Sequence, residues 1–390
     1  MSLSNITLSA AVRQNLLSLQ GTANLLATTQ EALATGKKVN SALDNPTNFF
    51  TAAGLDARAS DISNLLDSIG NGVQVLQAAN TGITSLSSLV DTAKSIANQV
   101  LQQPSGYLTR STITSAAALP VGSTTTNLVD GTAIKSGETL TFAASGGLPA
   151  LTVTFGATES LAQLNAALAP GDLQASLDSS NNLVFTANND NASSTIGALT
   201  LGSAGTATFG AAVAPTADAV SQATRASLVT QYNQIITQIT TTAQDSSFNG
   251  VNLLNGDSLK LVFDETGKST STIAGVTFNP AGLGLKSLTS GTDFVDTASA
   301  NTVLTALNTA SITLRSQASA FGANLSIVQI RQDFNKNLIN VLQTGSSNLT
   351  LADSNEEAAN SQALSTRQSI ATSALALANQ SQQSVLQLLR

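Results

Sequence analysis

Few side chains in this 390-residue sequence are able to do chemistry. Cysteine and histidine are both absent, which excludes thiolate nucleophiles, Ser-His-Asp and Cys-His systems, and ordinary zinc, copper or haem sites. Carboxylates, lysines and hydroxyls remain. Lys37-Lys38 would suit an anion, but the pair follows Gly36 at an expected helix end, where cations complement exposed carbonyls. Glu356-Glu357, after Asp353, has the makings of a paired-carboxylate site; at a helix start the same residues favour the N-terminus through its dipole. Asp264-Glu265 lies beside a glycine turn and reads as solvated loop. The stretch "GTAIKSGE" (Gly131–Glu138) lacks the lysine-hydroxyl ending of a phosphate loop. The Ser/Thr run from Ser111 to Thr126 offers hydroxyls for O-glycosylation, against the plainer reading of a polar loop. No catalytic, cofactor or metal residue is assigned, and the chain reads as a non-enzyme.

Charge points the same way. Charged residues make up 10% of the chain, against roughly 25% in ordinary soluble proteins. The net charge of −7 and pI near 4.5 argue against a nucleic-acid partner. Residues 104–219 hold two basic and seven acidic residues, so the middle is a mildly acidic unit between nearly neutral flanks. Low repulsion between such flanks suits self-association. The opening "MSLSNITLSAAVRQN" has no basic and apolar signal pattern, and no window approaches the roughly 18 apolar residues of a membrane span. No cleaved signal peptide and no membrane span are expected.

Helices must position whatever these residues do. From Val12 the apolar residues recur at Leu16, Leu19, Ala23, Leu26 and Leu33, a 4-3 spacing that predicts a helix seeking partners along a narrow stripe. Gly36 fits the position past its end, and Pro46 turns Asn45 away from helical geometry. Ala34–Phe50, "ATGKKVNSALDNPTNFF", is therefore a break between helices. A second stripe runs from Ile62 through Leu76 and Val90 to Val100 and should end near Pro104 and Gly106.

The middle changes character. Residues 104–219 are rich in Ser, Thr, Gly and Ala, with short strand-like runs at "ETLTF", "ALTVTF", "LQASL" and "NLVFTA" around a helix-like Glu159–Ala169. That ββαββ order predicts a small α+β unit, with Ser203–Ala219 as a linker back. Helical periodicity resumes over Ser221–Ala243. Asn249-Gly250 and Asn255-Gly256 then mark a β-hairpin region. Two more stripes follow: Val303 to Val328, and, after a polar break at Gln343–Asn348, Ala363, Ile370, Ala374, Leu377, Val385 and Leu388.

The fold class read from this is mainly α. Long antiparallel coiled-coil-like helices come from both termini, with a β-hairpin region and a small α+β inserted domain. The expected division is 1–50 with 344–390; 51–103, 220–247 and 291–343; 248–290; and 104–219. Terminal helices exposing one seam should stay frayed until partners arrive.

Both ends resemble bacterial flagellin. "EALATGKKVNSALDNPTNFF" is similar to the family stretch ERLSSGLRINSAxDxAA, with Gly36, Val39, Asn40, Ser41, Ala42 and Asp44 in corresponding places. "SIATSALALANQSQQSVLQLLR" resembles the family ending QAxxxxLAQANQxPQxVLxLL, and "FNGVNLLNG" its FNGxxLLxG turn. The middle more weakly resembles a motif inserted in flagellins and hook-associated proteins.

The resemblance implies a subunit that self-assembles through its terminal helices into the extracellular flagellar filament. Export would run through the flagellum's own apparatus without a cleaved signal. It implies subunit contacts at Val12, Leu16, Leu19, Leu26, Leu33, Phe49, Phe50, Ile370, Leu377, Val385, Leu386, Leu388 and Leu389, with Phe49 and Phe50 anchoring a spoke between inner and outer tubes by apolar burial. Implied partners are further copies of the chain, a flagellar export chaperone, and hook-associated and cap proteins. Flagellins sensed by the vertebrate innate immune receptor carry LQRVRELAVQ; here Thr92 replaces the first arginine, Lys94 the second and Ser95 the glutamate, so weak or absent activation is expected. Two rivals stand beside this: a hook–filament junction protein, and a flagellin-like surface protein whose insert binds a ligand.

Overall fold

A computed structural model describes residues 10–119, 125–202 and 205–388. The chain begins with α1 (Ala10–Thr35) and α2 (Pro46–Gln102). The middle holds β1 (Tyr107–Thr109), β2 (Thr112–Thr114), β3 (Thr139–Phe142), β4 (Leu151–Thr154), α3 (Leu161–Leu168), β5 (Leu173–Leu177), β6 (Leu183–Ala187), β7 (Leu199–Leu201) and β8 (Thr216–Ala217). After it come α4 (Ala219–Asp245), β9 (Ser258–Val262), β10 (Thr270–Ala274), α5 (Thr297–Thr350) and α6 (Ser354–Leu388). Two compact units form, and α2 and α5 pass through both.

The unit that holds α1 and α6 is mainly helical. Gly36 stops α1 with φ of +69°, a conformation that glycine adopts without cost. Asn45 then caps α2, its Oδ1 accepting the Asn48 amide at 3.0 Å, and Pro46 occupies the first helical position, where the missing N–H costs nothing. In this unit α2 buries Ala59 and Ile62 against Leu342 of α5, with Leu55, Leu338 and Ile339 around them.

Glycine does not break α5. The expected interruption at Gln343–Asn348 is continuous helix, and the chain turns only at Leu351–Asp353. A Cβ on Gly345 would meet Leu55 Cδ1 at 3.4 Å, about ordinary contact distance, and the glycine does not end the helix. Asp353 provides the stop: its Oδ1 accepts the Asn355 amide at 2.9 Å and opens α6, with Glu356 and Glu357 in the first turn as the dipole favours.

The second unit contains the insert. Strands pair antiparallel as β2-β6-β5 and β4-β3-β7, so the ββαββ order is present but two further strands complete the sheets. Ser160 and Gln163 form a reciprocal capping box at the start of α3, whose Leu164 and Leu168 enter a core with Leu140, Phe142, Phe155 and Phe185. Ser203–Ala219 is not a free linker. Phe209 stacks at 5.6 Å on Phe185, the Val213 amide donates to the Thr112 carbonyl, and β8 pairs with β1.

The neck of the insert is tied to the helices. Asp296 precedes α5 and accepts the Ser299 amide at 2.9 Å and the Ser193 hydroxyl at 2.5 Å. The Ala298 amide donates to the Asp190 carbonyl, so an insert loop completes the cap of α5. Arg225 of α4, 2% exposed, donates to the Phe294 and Pro104 carbonyls at 2.9 Å. Its burial lowers its pKa, with Asp296 opposing that shift. Burial also pushes the Tyr232 phenol up to about 12.

Candidate assembly surfaces

The terminal helices are where a two-faced apolar pattern matters. The Ala352 amide donates to the Gly36 carbonyl at 3.0 Å, and Lys37 bridges Leu351 antiparallel. The end of α1 thereby meets the start of α6, and the two helices, packed along their length, run antiparallel. The Lys38 ammonium caps not its own helix but α5, donating to the Asn348 carbonyl at 3.3 Å. Asp44 holds the intervening turn, its carboxylate accepting the amides of Asn40 and Ser41 at 2.9 and 2.8 Å. The Ser41 amide, then that of Asn40, lowers its pKa.

The seam between α1 and α6 is thin. On α1, Val12 and Ala32 are buried and Leu19, Ala23 and Leu26 half-buried. On α6 the half-buried positions are Glu357, Ser361, Leu364, Gln368, Ala371, Leu375 and Ala378, a strict 4-3 repeat of mostly small or polar residues. The stripe expected on α6 lies on another face: Ile370 is 63% exposed and Leu377 68%. The inner residues Leu364 and Leu375 belong to a second repeat, legible at the same spacing but hidden among alanines and serines.

The other expected contact residues divide similarly. Leu16 and Leu33 flank the seam and stay exposed, as do Leu17 and Leu25 off the stripe. Side chains of Val385, Leu386 and Leu388 lie outside the described part of α6, and Leu389 outside the described residues. Phe49 and Phe50 stand on the first turns of α2, edge to face at 5.5 Å. Phe49 is half-buried but Phe50 is 65% exposed, so only the first is anchored within one chain. On α5, Ile327, Ile330, Phe334 and Val341 form a further exposed row at spacings of three, four and seven, which sequence reading missed because the stripe it followed ended at Val328.

The remaining charged candidates have structural roles. Glu265 is not simply solvated: its carboxylate meets Arg58 Nε at 2.5 Å. Asp264 accepts the Thr266 hydroxyl and the Ser269 amide, closing the turn between β9 and β10. Glu138 is 2% exposed and satisfied by the Gly205 amide at 2.7 Å and the Lys135 amide at 3.1 Å. On α2, Thr92 is exposed with its hydroxyl bonded back to Ser88, Lys94 pairs with Asp91 at 3.8 Å, and Ser95 donates to the Asp91 carbonyl. Among the described residues no cluster of three or more His, Cys, Asp or Glu could hold a metal, and no helix is long and apolar enough to cross a membrane.

Comparison with known proteins places both helical ends. Residues 5–118 match the bacterial flagellin N-terminal helical region and 304–389 the bacterial flagellin C-terminal helical region, together just over half of the chain. Similar relatives come from Caulobacter vibrioides. Flagellin FljM and flagellin FljK are each 32% identical over 164 residues, 42% of this chain and 59% of theirs. Flagellin FljO is 30% identical over 180 residues, 46% of this chain and 65% of its own. The chain thus spans under two thirds of the length of these relatives.

Proposed function

Because the chain belongs to the bacterial flagellin family, we propose that it polymerises through its terminal helices into the extracellular filament used for swimming. The observation that carries this is the pair of open apolar faces on α1 and α6, with Leu17, Leu25, Ile370 and Leu377 left in water by a single chain. Their burial between subunits would draw on about 25 cal/mol per Å² of apolar surface. Copies meeting through different surfaces without rotational closure build a helix, not a ring.

In this reading α1 and α6 form the inner layer, Gly36–Phe50 the spoke, α2, α4 and α5 the outer layer, and residues 104–219 the outward-facing domain. A seam whose α6 side is only half-buried, with Glu357, Ser361 and Gln368 among its positions, buries little, which supports terminal helices that gain order on assembly. The open α6 face also suits an export chaperone before assembly, with export requiring no cleaved signal, and hook-associated and cap proteins would present related helical ends. Thr92, Lys94 and Ser95 lack the bidentate fork and carboxylate of the immune-receptor motif, which supports weak receptor activation.

Seeded growth tests the proposal. Electron microscopy should show the full chain extending short filament seeds, and a chain lacking residues 1–35 and 352–390 failing to do so. Failure of the full chain would overturn the reading in favour of a junction protein or a specialised minor subunit.

A further inference from the structure

The sequence contains three Asn-Gly pairs, Asn71-Gly72, Asn249-Gly250 and Asn255-Gly256, and the fold treats them differently. Asn71-Gly72 lies inside α2, where the helix holds the backbone. Asn255-Gly256 is engaged in a bridge: the Gly256 amide donates to the Val276 carbonyl at 3.1 Å, and Asn255 pairs with Thr277. Asn249-Gly250 is the tip of a two-residue turn, with φ of +49° and +79°, closed by reciprocal 3.0 Å bonds between Phe248 and Val251. Both tip residues are exposed. Among the described residues, neither the Asn249 carboxamide nor the Gly250 N–H has a hydrogen-bond partner.

We propose that Asn249 is a site of spontaneous deamidation, the one Asn-Gly pair of the three that the native fold leaves open to this reaction. The Gly250 nitrogen gives its proton to a water or hydroxide base and attacks the Asn249 Cγ. The tetrahedral adduct takes up a proton and expels ammonia, which leaves a succinimide. Water then opens the ring at either carbonyl to give aspartate or isoaspartate, so the net change is one water consumed and one ammonia released. Glycine matters twice: it has no side chain to hinder the attack, and it tolerates the backbone excursions the ring requires. At Asn71 and Asn255 the same attack first requires local opening of helix or bridge, and that opening slows the reaction. The product adds a negative charge to an already acidic chain. In the isoaspartyl form it also adds a methylene to the backbone of the turn that the Phe248–Val251 bonds close.

The proposal does not depend on filament assembly. Purified full-length chain would be incubated at mildly alkaline pH, and each Asn-Gly peptide followed by mass spectrometry, beside the same chain unfolded in urea. In the native protein Asn249 should convert at least about tenfold faster than Asn71 or Asn255, while the three converge when unfolded. Equal native rates at the three sites, or an intact Asn249 while the unfolded chain converts, would overturn it. Asn249→Gln, whose longer side chain disfavours the five-membered ring, should abolish the early acidic charge variant seen on isoelectric focusing; persistence of that variant would likewise count against Asn249.

Discussion

Truncating the open face of α6 separates assembly from folding. Ile370 and Leu377 are 63% and 68% exposed in the single chain. Full burial of such a side chain stabilises by about 1.5–3 kcal/mol, so covering the remaining two thirds is worth about 1–2 kcal/mol for each residue. Ile370→Ala or Leu377→Ala should therefore raise the critical concentration for polymerisation about 5–30-fold each. The double variant should come near the product if the sites act independently. Neither change opens a cavity in the monomer, and alanine is the better helix former by a few tenths of a kcal/mol, about 0.5 at most. Monomer circular dichroism and melting should thus be unchanged or slightly improved. The assay is the concentration of protein left in the supernatant after seeded growth to completion and sedimentation. An unaltered critical concentration for the double variant would refute the assignment of this face to subunit contacts. A collapsed monomer melting curve would refute the claim that the face is free within one chain.

Further expectations concern the rest of the molecule. Asp296→Ala removes both the cap of α5 and the acceptor of the Ser193 hydroxyl, and should lower stability by about 1–3 kcal/mol, read by thermal melting. Gly82→Ala places a Cβ 2.7 Å from Leu254 Cδ1 and also against the Ser246 side chain, an overpacking that should cost about 1–3 kcal/mol in urea denaturation. The Asp44 carboxyl titrates below its usual range because the Ser41 and Asn40 amides bond the charged form. The stabilisation it gives this turn between α1 and α2 is present above the carboxylate's unfolded value and lost as pH falls through its lower folded one. Amide exchange at Asn40 and Ser41, corrected for its intrinsic pH dependence, should lose protection on acidification, and pH-independent protection would contradict this. In a receptor-reporter assay, purified monomer should activate weakly, and arginine at Thr92 with glutamate at Ser95 should increase the response.

Periodicity and punctuation made the helices readable. The stripe from Val12 and the stop at Gly36 are local facts, since a helix end needs only a residue comfortable at positive φ. The same holds for the core of the insert, where alternating apolar residues match β3, β4, β5 and β6. Local signals misled where distant packing gave a residue another purpose. Gly345 sits in a polar run that reads as a break, yet α5 continues past it with Leu55 of α2 packed alongside. Lys38 reads as a cap for the helix before it but serves the end of α5, 310 residues along the chain.

Propensity, spacing and residue type are properties of the chain, so the sequence alone placed most of the helical segments and excluded cysteine and histidine chemistry, although α5 runs unbroken through the polar Gln343–Asn348 stretch. The sequence also held both apolar repeats of α6, one through Ile370 and Leu377 and one through Leu364 and Leu375. Which of the two pairs with α1 and which stays exposed in the single chain was decided by tertiary structure. Both repeats satisfy helical geometry equally, and the rotation of α6 about its axis is set by its packing along α1 and by the bond from the Ala352 amide to the Gly36 carbonyl where the two helices meet.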